Sequence, residues 1–213
     1  MEQLLIFARH PEPGRVKTRL AAGVGDEKAL EVYRLLLDRT QLAVTNCRAQ
    51  ATVWLAAPAQ LPAAPDTPLW PGFEHRQQVA GDLGEKMRAA FQAAFDQSAT
   101  AVVIIGTDCP QLTDGHLREA FGALLTHDVV LGPAADGGYY LLGMRRMQPA
   151  FFAGKRWSTE SVLADTLADA QRLQLKVKLL PELLDIDTAA DLAAWEQAEK
   201  AAQRQRPGTD AVR

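Results

Sequence analysis

Apolar residues in this chain fall into short unbroken runs that alternate with longer stretches where they recur every three or four positions. Residues 4–8, 51–56, 101–105, 129–131, 139–142 and 177–180 have strand length, and several are apolar at successive positions, the pattern of strands buried on both faces. Residues 27–44, 83–95, 117–125, 159–173 and 189–202 carry helical spacing with charges opposite, which predicts amphipathic helices. Strand and helix in alternation require crossover connections. These place a largely parallel, twisted sheet between two layers of helices, a three-layer α/β/α sandwich. One pair departs from that rule: in "VVLGPAADGGYYLLG" the two strand-like runs stand too close for a helical crossover, so an antiparallel element is expected there.

The pattern is silent in two places. Residues 58–72 hold five prolines and little periodicity, and read as a surface loop. Residues 203–213 are polar and read as a flexible tail, leaving 1–202 as one domain. A length of 213 residues with 47% hydrophobic and 23% charged fits one substantial core. The net charge of -3 gives no basic footprint for nucleic acid. Cys47 and Cys109 form no C-x-x-C, and with no signal-like start and no membrane-length apolar run a cytoplasmic protein is expected, with no membrane insertion. The four histidines show no ligand spacing.

Against this acidic balance, "FARHPEPGRVKTRL" concentrates Arg9, His10, Arg15, Lys17 and Arg19 just after the first strand. Ligands of an open parallel sheet bind beyond the carboxyl ends of its strands, and the first strand-to-helix loop often takes phosphate. Lys, Arg and loop amides supply the charge and donors it needs. If the segment is extended, Arg15, Lys17 and Arg19 point to one side. A solvated basic loop is the alternative. The spacing excludes a Walker loop, since Val16 precedes Lys17, and no G-x-G-x-x-G follows the first strand.

"AVVIIGTDCPQLT" places Asp108 just past a strongly apolar strand, where a carboxylate could hold Mg²⁺ facing a phosphate. A turn or cap residue is the alternative. Cys109 is disfavoured as a nucleophile because no His stands near it in sequence. In "LLDIDTAADL", Asp185 and Asp187 share a side if extended. One of them reads as a second metal ligand, and Asp187 or Thr188 also suits the cap of the last helix. Asp136-Gly137-Gly138 reads as a tight turn or as a close approach to ligand. Gly81-Asp82 reads as a helix start, and Trp157-Ser158-Thr159 as a helix entry capped by Ser158 or Thr159.

Taken in order, "FARHPEPGRVKTRL", "GDLGEKM", "GTDCPQL", "VVLGPAADGGYYLLG", "WST" and "DIDTAADL" resemble a bacterial family of predicted glycosyltransferases. That family lies within the nucleotide-diphospho-sugar transferase superfamily, of GT-A type, and the match runs from about residue 4 to about residue 195. The superfamily also holds guanylyltransferases of molybdenum-cofactor and phospholactate metabolism. The resemblance implies a metal-dependent transferase using Mg²⁺ or Mn²⁺, a nucleotide sugar or nucleoside triphosphate as donor, and a small-molecule acceptor. Glycosyl transfer is the first reading, nucleotidyl transfer the second, and a non-catalytic sugar-nucleotide sensor the third. It further implies that Arg9, Arg15, Lys17, Arg19, Gly81 and Asp82 hold the nucleotide and its phosphates. Asp108, with Asp185 or Asp187, would hold the metal. Gly137, Gly138, Tyr139 and Trp157 would shape the acceptor or sugar pocket, and Lys17 and Asp108 would act in catalysis. Asp136 joins them, from its place in the Gly turn and not from the resemblance, as base or acceptor-orienting group in glycosyl transfer. One departure is plain: glycosyltransferases of this fold usually show D-x-D after the central strand, and here Gly106-Thr107-Asp108 supplies one carboxylate.

Overall fold

The apolar runs become the middle of a sheet and the polar ones its edge. The computed structural model describes residues 1–56 and 69–205. The strands are β1 (Glu2–Ala8), β2 (Gln50–Leu55), β3 (Glu74–Gln77), β4 (Ala101–Ile105), β5 (Val129–Pro133), β6 (Tyr139–Met144) and β7 (Val177–Leu179). They form a sheet in the order β3-β2-β1-β4-β6-β5-β7. β1 pairs parallel with β2 and β4, β2 with β3, and β5 with β7, whereas β6 runs antiparallel to both β4 and β5. The expected antiparallel element is therefore β6.

The helices are α1 (Thr18–Val24), α2 (Asp26–Thr45), α3 (Leu83–Asp96), α4 (Asp114–Ala123), α5 (Val162–Arg172) and α6 (Ala189–Gln205). Alternation along β1 assigns the layers. Leu4 and Ile6 pack with Tyr33 and Leu37 of α2 and with Leu117 and Phe121 of α4. Leu5 packs on the other face with Met87 and Phe91 of α3 and Ala170 of α5. β4 and β5 are buried at every position, as strands covered on both sides must be. A smaller apolar cluster joins Leu20 of α1, Ala29, Val32 and Leu36 of α2, Ile186, and Leu192 and Trp195 of α6. It ties the start of the chain to its end beside the sheet's carboxyl edge.

Several elements differ from the pattern-based expectation. β3, with the sequence Glu-His-Arg-Gln, has no apolar residue and sits at the sheet edge beside β2 alone, where a polar strand blunts further pairing. α1 is one short helix inside what reads as a basic loop. α5 begins at Val162 after Ser161, not at Ser158 or Thr159; the chain turns there first, with Ser158 at φ 61 and Thr159 Oγ1 donating to the Arg156 carbonyl at 2.8 Å. Helix α6 also continues through residues 203–205, three positions beyond the expected end. Residues 206–213 and 57–68, the latter including 58–68 of the expected 58–72 loop, lie outside the described residues.

Candidate active site

A cavity of about 600 Å³ opens where β1 and β4 end, between the loop after β1 and the first turn of α3. Its lining includes Arg9, Arg15, Lys17 and Arg19 from the first loop and α1, Gly81, Asp82 and Lys86 around α3, Asp108 after β4, Tyr139 on β6, and Asp187 before α6. The site thus lies outside the carboxyl ends of the parallel strands.

The basic loop is folded, not extended. Val16 is 3% exposed and anchors it in the core. Tyr33 of α2 holds its start: the hydroxyl accepts from the Arg9 N–H at 2.9 Å and donates to the Arg9 carbonyl at 3.1 Å. The three cations consequently diverge in role. Arg15 pairs with Glu12 at 3.2 Å and is half exposed. Lys17 stands at the N-cap of α1 in the left-handed region, φ 50 and ψ 44, and makes no side-chain cap bond. Arg19 lies in α1, largely exposed, and reaches Asp187 Oδ2.

Lys17 is the centre of the arrangement. Its Nζ lies 2.5 Å from Asp108 Oδ1 and 2.8 Å from Asp187 Oδ1, and its side chain is 5% exposed. Burial pushes the ammonium down, but the two carboxylates more than offset it, so its pKa stands above the ordinary lysine value. The carboxylates are brought there by separate devices. Gly106 N–H donates to the Tyr140 carbonyl at 3.2 Å, and Ile186 N–H donates to the Asp108 carbonyl at 3.0 Å, which ties the two acidic segments together. Thr188 and Asp191 cap α6 reciprocally: Asp191 Oδ2 accepts from Thr188 N at 2.7 Å and Thr188 Oγ1 accepts from Asp191 N at 3.3 Å. That cap leaves the Asp187 carboxylate free to face the cavity. On the other side, a Cβ on Gly23 would lie 2.7 Å from the Ala189 Cβ. The absence of a side chain there lets α1 dock closely on α6 and brings Lys17 and Arg19 to Asp187.

Gly81 and Asp82 line the cavity, and Asp82 forms a capping box with Glu85, accepting from Glu85 N at 2.8 Å while Asp82 N donates to Glu85 Oε2 at 2.9 Å. Asp136, Gly137, Gly138, Trp157 and Asp185 lie outside the lining. Asp136 Oδ1 accepts from Gly138 N at 2.8 Å and closes the turn between β5 and β6. Gly137, at φ 86, lets that turn meet Glu160, whose carbonyl oxygen would lie 2.3 Å from an added Cβ. The Trp157 indole packs on Gly84 of α3. Asp185 is half-buried, and burial, then the charges of Asp136, Asp187 and Asp108, raise its pKa to about 6. Burial pushes the Cys109 thiol up, Asp108 and Asp185 add to it, and such a thiol makes a poor nucleophile.

One lining cation was not singled out from the sequence. Lys86 stands in the first turn of α3. The D-x-x-E capping box of Asp82 and Glu85 marks that helix start, and Lys86 follows on the turn that faces the cavity.

The residues present fit a hard divalent cation in one respect that the structure shows directly. Asp108 and Asp187 already converge on a single positive centre, the Lys17 ammonium. Among the described residues no group of three or more His, Cys, Asp or Glu forms a closed cage. Two carboxylates facing one centre are the number that Mg²⁺ or Mn²⁺ takes from protein beside waters and phosphate oxygens.

A mostly parallel seven-stranded sheet with one reversed strand, and a cation-lined cavity at its carboxyl edge, define the nucleotide-diphospho-sugar transferase class of fold. Within it, the chain belongs to the family DUF2064, described as "uncharacterized protein conserved in bacteria", whose model matches residues 40–159. The chain is similar to a protein from Desulfovibrio desulfuricans G20 provisionally named a nucleotide-diphospho-sugar transferase, at 34% identity over 98% of this chain and 91% of that one, TM-score 0.86. It shares its fold with Rv0371c from Mycobacterium tuberculosis H37Rv in complex with manganese, at 18% identity over 92% of this chain and 98% of that one, TM-score 0.54. It also shares its fold with 2-C-methyl-D-erythritol 4-phosphate cytidylyltransferase from Thermus thermophilus, at 16% identity over 94% of this chain and 100% of that one, TM-score 0.52. No curated protein matches the chain. Among the described residues no helix is long and apolar enough to cross a membrane.

Proposed function

We propose that the protein is a metal-dependent transferase that takes its donor from an activated nucleotide. The observation that carries this reading is the Lys17–Asp108–Asp187 cluster at the floor of a cavity whose walls add Arg9, Arg15, Arg19 and Lys86. In this reading the donor phosphates lie against Arg9, Arg15, Lys17 and Arg19. Asp108 and Asp187 hold Mg²⁺ or Mn²⁺, which when bound neutralises charge on the leaving phosphate. Gly81 and Asp82 bound the nucleotide through the fixed start of α3, and Tyr139 contributes to the sugar or acceptor side.

The site's charge favours nucleotidyl transfer. Five cationic side chains line the cavity against three acidic ones, Asp82, Asp108 and Asp187. The terminal phosphate of a triphosphate adds a charge of about -1.5 to -2 at neutral pH, which a sugar-linked diphosphate lacks. One carboxylate at Gly106-Thr107-Asp108 in place of D-x-D points the same way. In that reaction an acceptor phosphate attacks the α-phosphorus, its oxygen–phosphorus bond forms as the α–β bridge breaks, and pyrophosphate leaves. Glycosyl transfer is the second reading, favoured by the name of the 34%-identical Desulfovibrio desulfuricans protein; there an acceptor hydroxyl attacks the anomeric carbon and a nucleoside diphosphate leaves. Asp136, closing the β5–β6 turn outside the cavity lining, stays a proposed acceptor-orienting group only in this second reading.

The experiment is product analysis with Mn²⁺ and pooled small-molecule acceptors, offering four nucleoside triphosphates in one series and nucleotide sugars in the other. Acceptor-dependent pyrophosphate release supports nucleotidyl transfer. Acceptor-dependent nucleoside diphosphate release supports glycosyl transfer, and turnover of neither donor type with any acceptor contradicts the proposal.

A further inference from the structure

We infer that Lys17 is the resident counter-ion of the Asp108–Asp187 pair, and that a divalent cation enters this site only as the Lys17 ammonium leaves it. Metal and phosphate then bind as one coupled event. The inference rests on the reading of the site given above and adds an order of dependence to it.

Three observations support it. The ammonium is the buried member of the group: Lys17 is 5% exposed, against 47% for Asp108 and 27% for Asp187. It stands where both Oδ1 atoms converge, at 2.5 and 2.8 Å. A metal using the same two oxygens would lie beside a like charge, so the two cations exclude each other. Finally, the backbone of Lys17 adopts the left-handed conformation, φ 50 and ψ 44, without any capping bond from its side chain. A lysine seldom adopts it. What the side chain does make is the double ion pair, so the strained backbone is tied to that contact. Arg19 does not share this position, because it binds the other oxygen, Asp187 Oδ2.

A lysine suits the exchange. Its compact charge rides on a flexible four-carbon stem, so the ammonium can leave the carboxylates and turn toward the cavity that Lys17 also lines. Phosphate draws the ammonium away and opens the carboxylates to metal. Metal displaces the ammonium and frees it for phosphate. By linkage the two effects are equal in size.

The test measures Mn²⁺ alone, without nucleotide, by electron paramagnetic resonance of the free ion. Lys17→Met is expected to bind Mn²⁺ about tenfold more tightly than wild type, within the range usual for coupled sites. Lys17→Met/Asp108→Asn is expected to lose that gain. Unchanged or weaker Mn²⁺ binding by folded Lys17→Met overturns the inference, as does a gain that survives Asp108→Asn. A second measurement needs no variant: reductive methylation of wild type, read by mass spectrometry with the exposed Lys28 and Lys200, which lie outside the cavity lining, as internal references. Mg²⁺ at tens of millimolar is expected to raise the methylation rate of Lys17 about fivefold, and a rate that metal leaves unchanged also overturns it. The two levels fail separately. If donors bind with metal while Lys17→Met gains no Mn²⁺ affinity, the counter-ion role falls and the proposed function stands. If Lys17→Met gains Mn²⁺ affinity and no donor is used, the reverse holds.

Discussion

Gly137→Ala separates two meanings of the Asp136-Gly137-Gly138 turn, a close approach to ligand and a packing contact. Gly137 has φ 86, and a Cβ there would lie 2.3 Å from the Glu160 carbonyl oxygen and 2.7 Å from its Cα. These are backbone atoms, so no side-chain rotation relieves the clash. The turn must instead separate from the segment before α5, which breaks the bond from Leu163 N to the Gly137 carbonyl at 3.0 Å. The left-handed backbone costs an alanine about 1 kcal/mol, the lost hydrogen bond about 1 kcal/mol, and the overpacking about 1–3 kcal/mol. A loss of about 3–5 kcal/mol in a chain of this size lowers Tm by roughly 10 °C. Differential scanning calorimetry measures the fall, and a donor titration below the variant's Tm measures what remains of the site. Packing as the reason for this glycine predicts a large fall in Tm with donor affinity kept within about twofold, or about 0.4 kcal/mol. A Tm within about 2 °C of wild type, under 1 kcal/mol, together with lost donor affinity would refute that reasoning and return the turn to the ligand.

Other residues give sharper single readouts. Lys155 is 4% exposed and pairs with Asp169, which also accepts from Arg172 at 2.8 Å; Asp169→Asn strands the lysine and is expected to cost about 3 kcal/mol in urea unfolding. Burial raises the Asp169 pKa, but the bonds and charges of Lys155 and Arg172 more than reverse this and hold it below the ordinary carboxylate value. Its stabilisation is therefore complete above the ordinary pKa of about 3.9 and is lost as pH falls through the lowered folded value. Wild type should lose more stability than Asp169→Asn on acidification across that window, and parallel pH profiles would contradict this. Tyr33→Phe leaves the Arg9 N–H without its partner, at a cost of about 1–2 kcal/mol; hydrogen exchange at Arg9 should accelerate, and unchanged protection would show that Tyr33 does not hold the loop.

The fold was legible wherever one chemical rule dominated a whole segment. β4 is five apolar residues in a row, and its fully buried strand coincides with the expected bounds. β6 was legible as antiparallel because a Gly turn leaves no room for a helix. β3 was not, since four polar residues carry no burial pattern and pair only through their backbone at the edge. α1 was hidden for another reason: with seven residues and Leu20 as its one buried side chain, it has too few turns to show a period. The site shows the same division. Position after β1 and β4 indicated that Lys17 and Asp108 belong near one cavity. The convergence of Lys17 and Arg19 on Asp187 depends on Gly23 against Ala189, a contact across more than 160 positions of chain that no local pattern marks. An extended loop would have aligned Arg15, Lys17 and Arg19, whereas the turn at Lys17 and the start of α1 send them to Glu12, to Asp108 with Asp187, and to Asp187 alone.

The most direct test of the central claim is a thermal-shift titration of wild type and Asp108→Asn with nucleoside triphosphates and nucleotide sugars, each with and without Mn²⁺. A donor at about one hundred times its Kd stabilises the native state by about 2.7 kcal/mol. At about 2–4 °C per kcal/mol, the account predicts a rise of roughly 5–10 °C for wild type with Mn²⁺, and loss of the metal-dependent part in Asp108→Asn. A rise of the same size in both proteins, or no rise with any donor, would contradict a metal-assisted nucleotide site at Asp108.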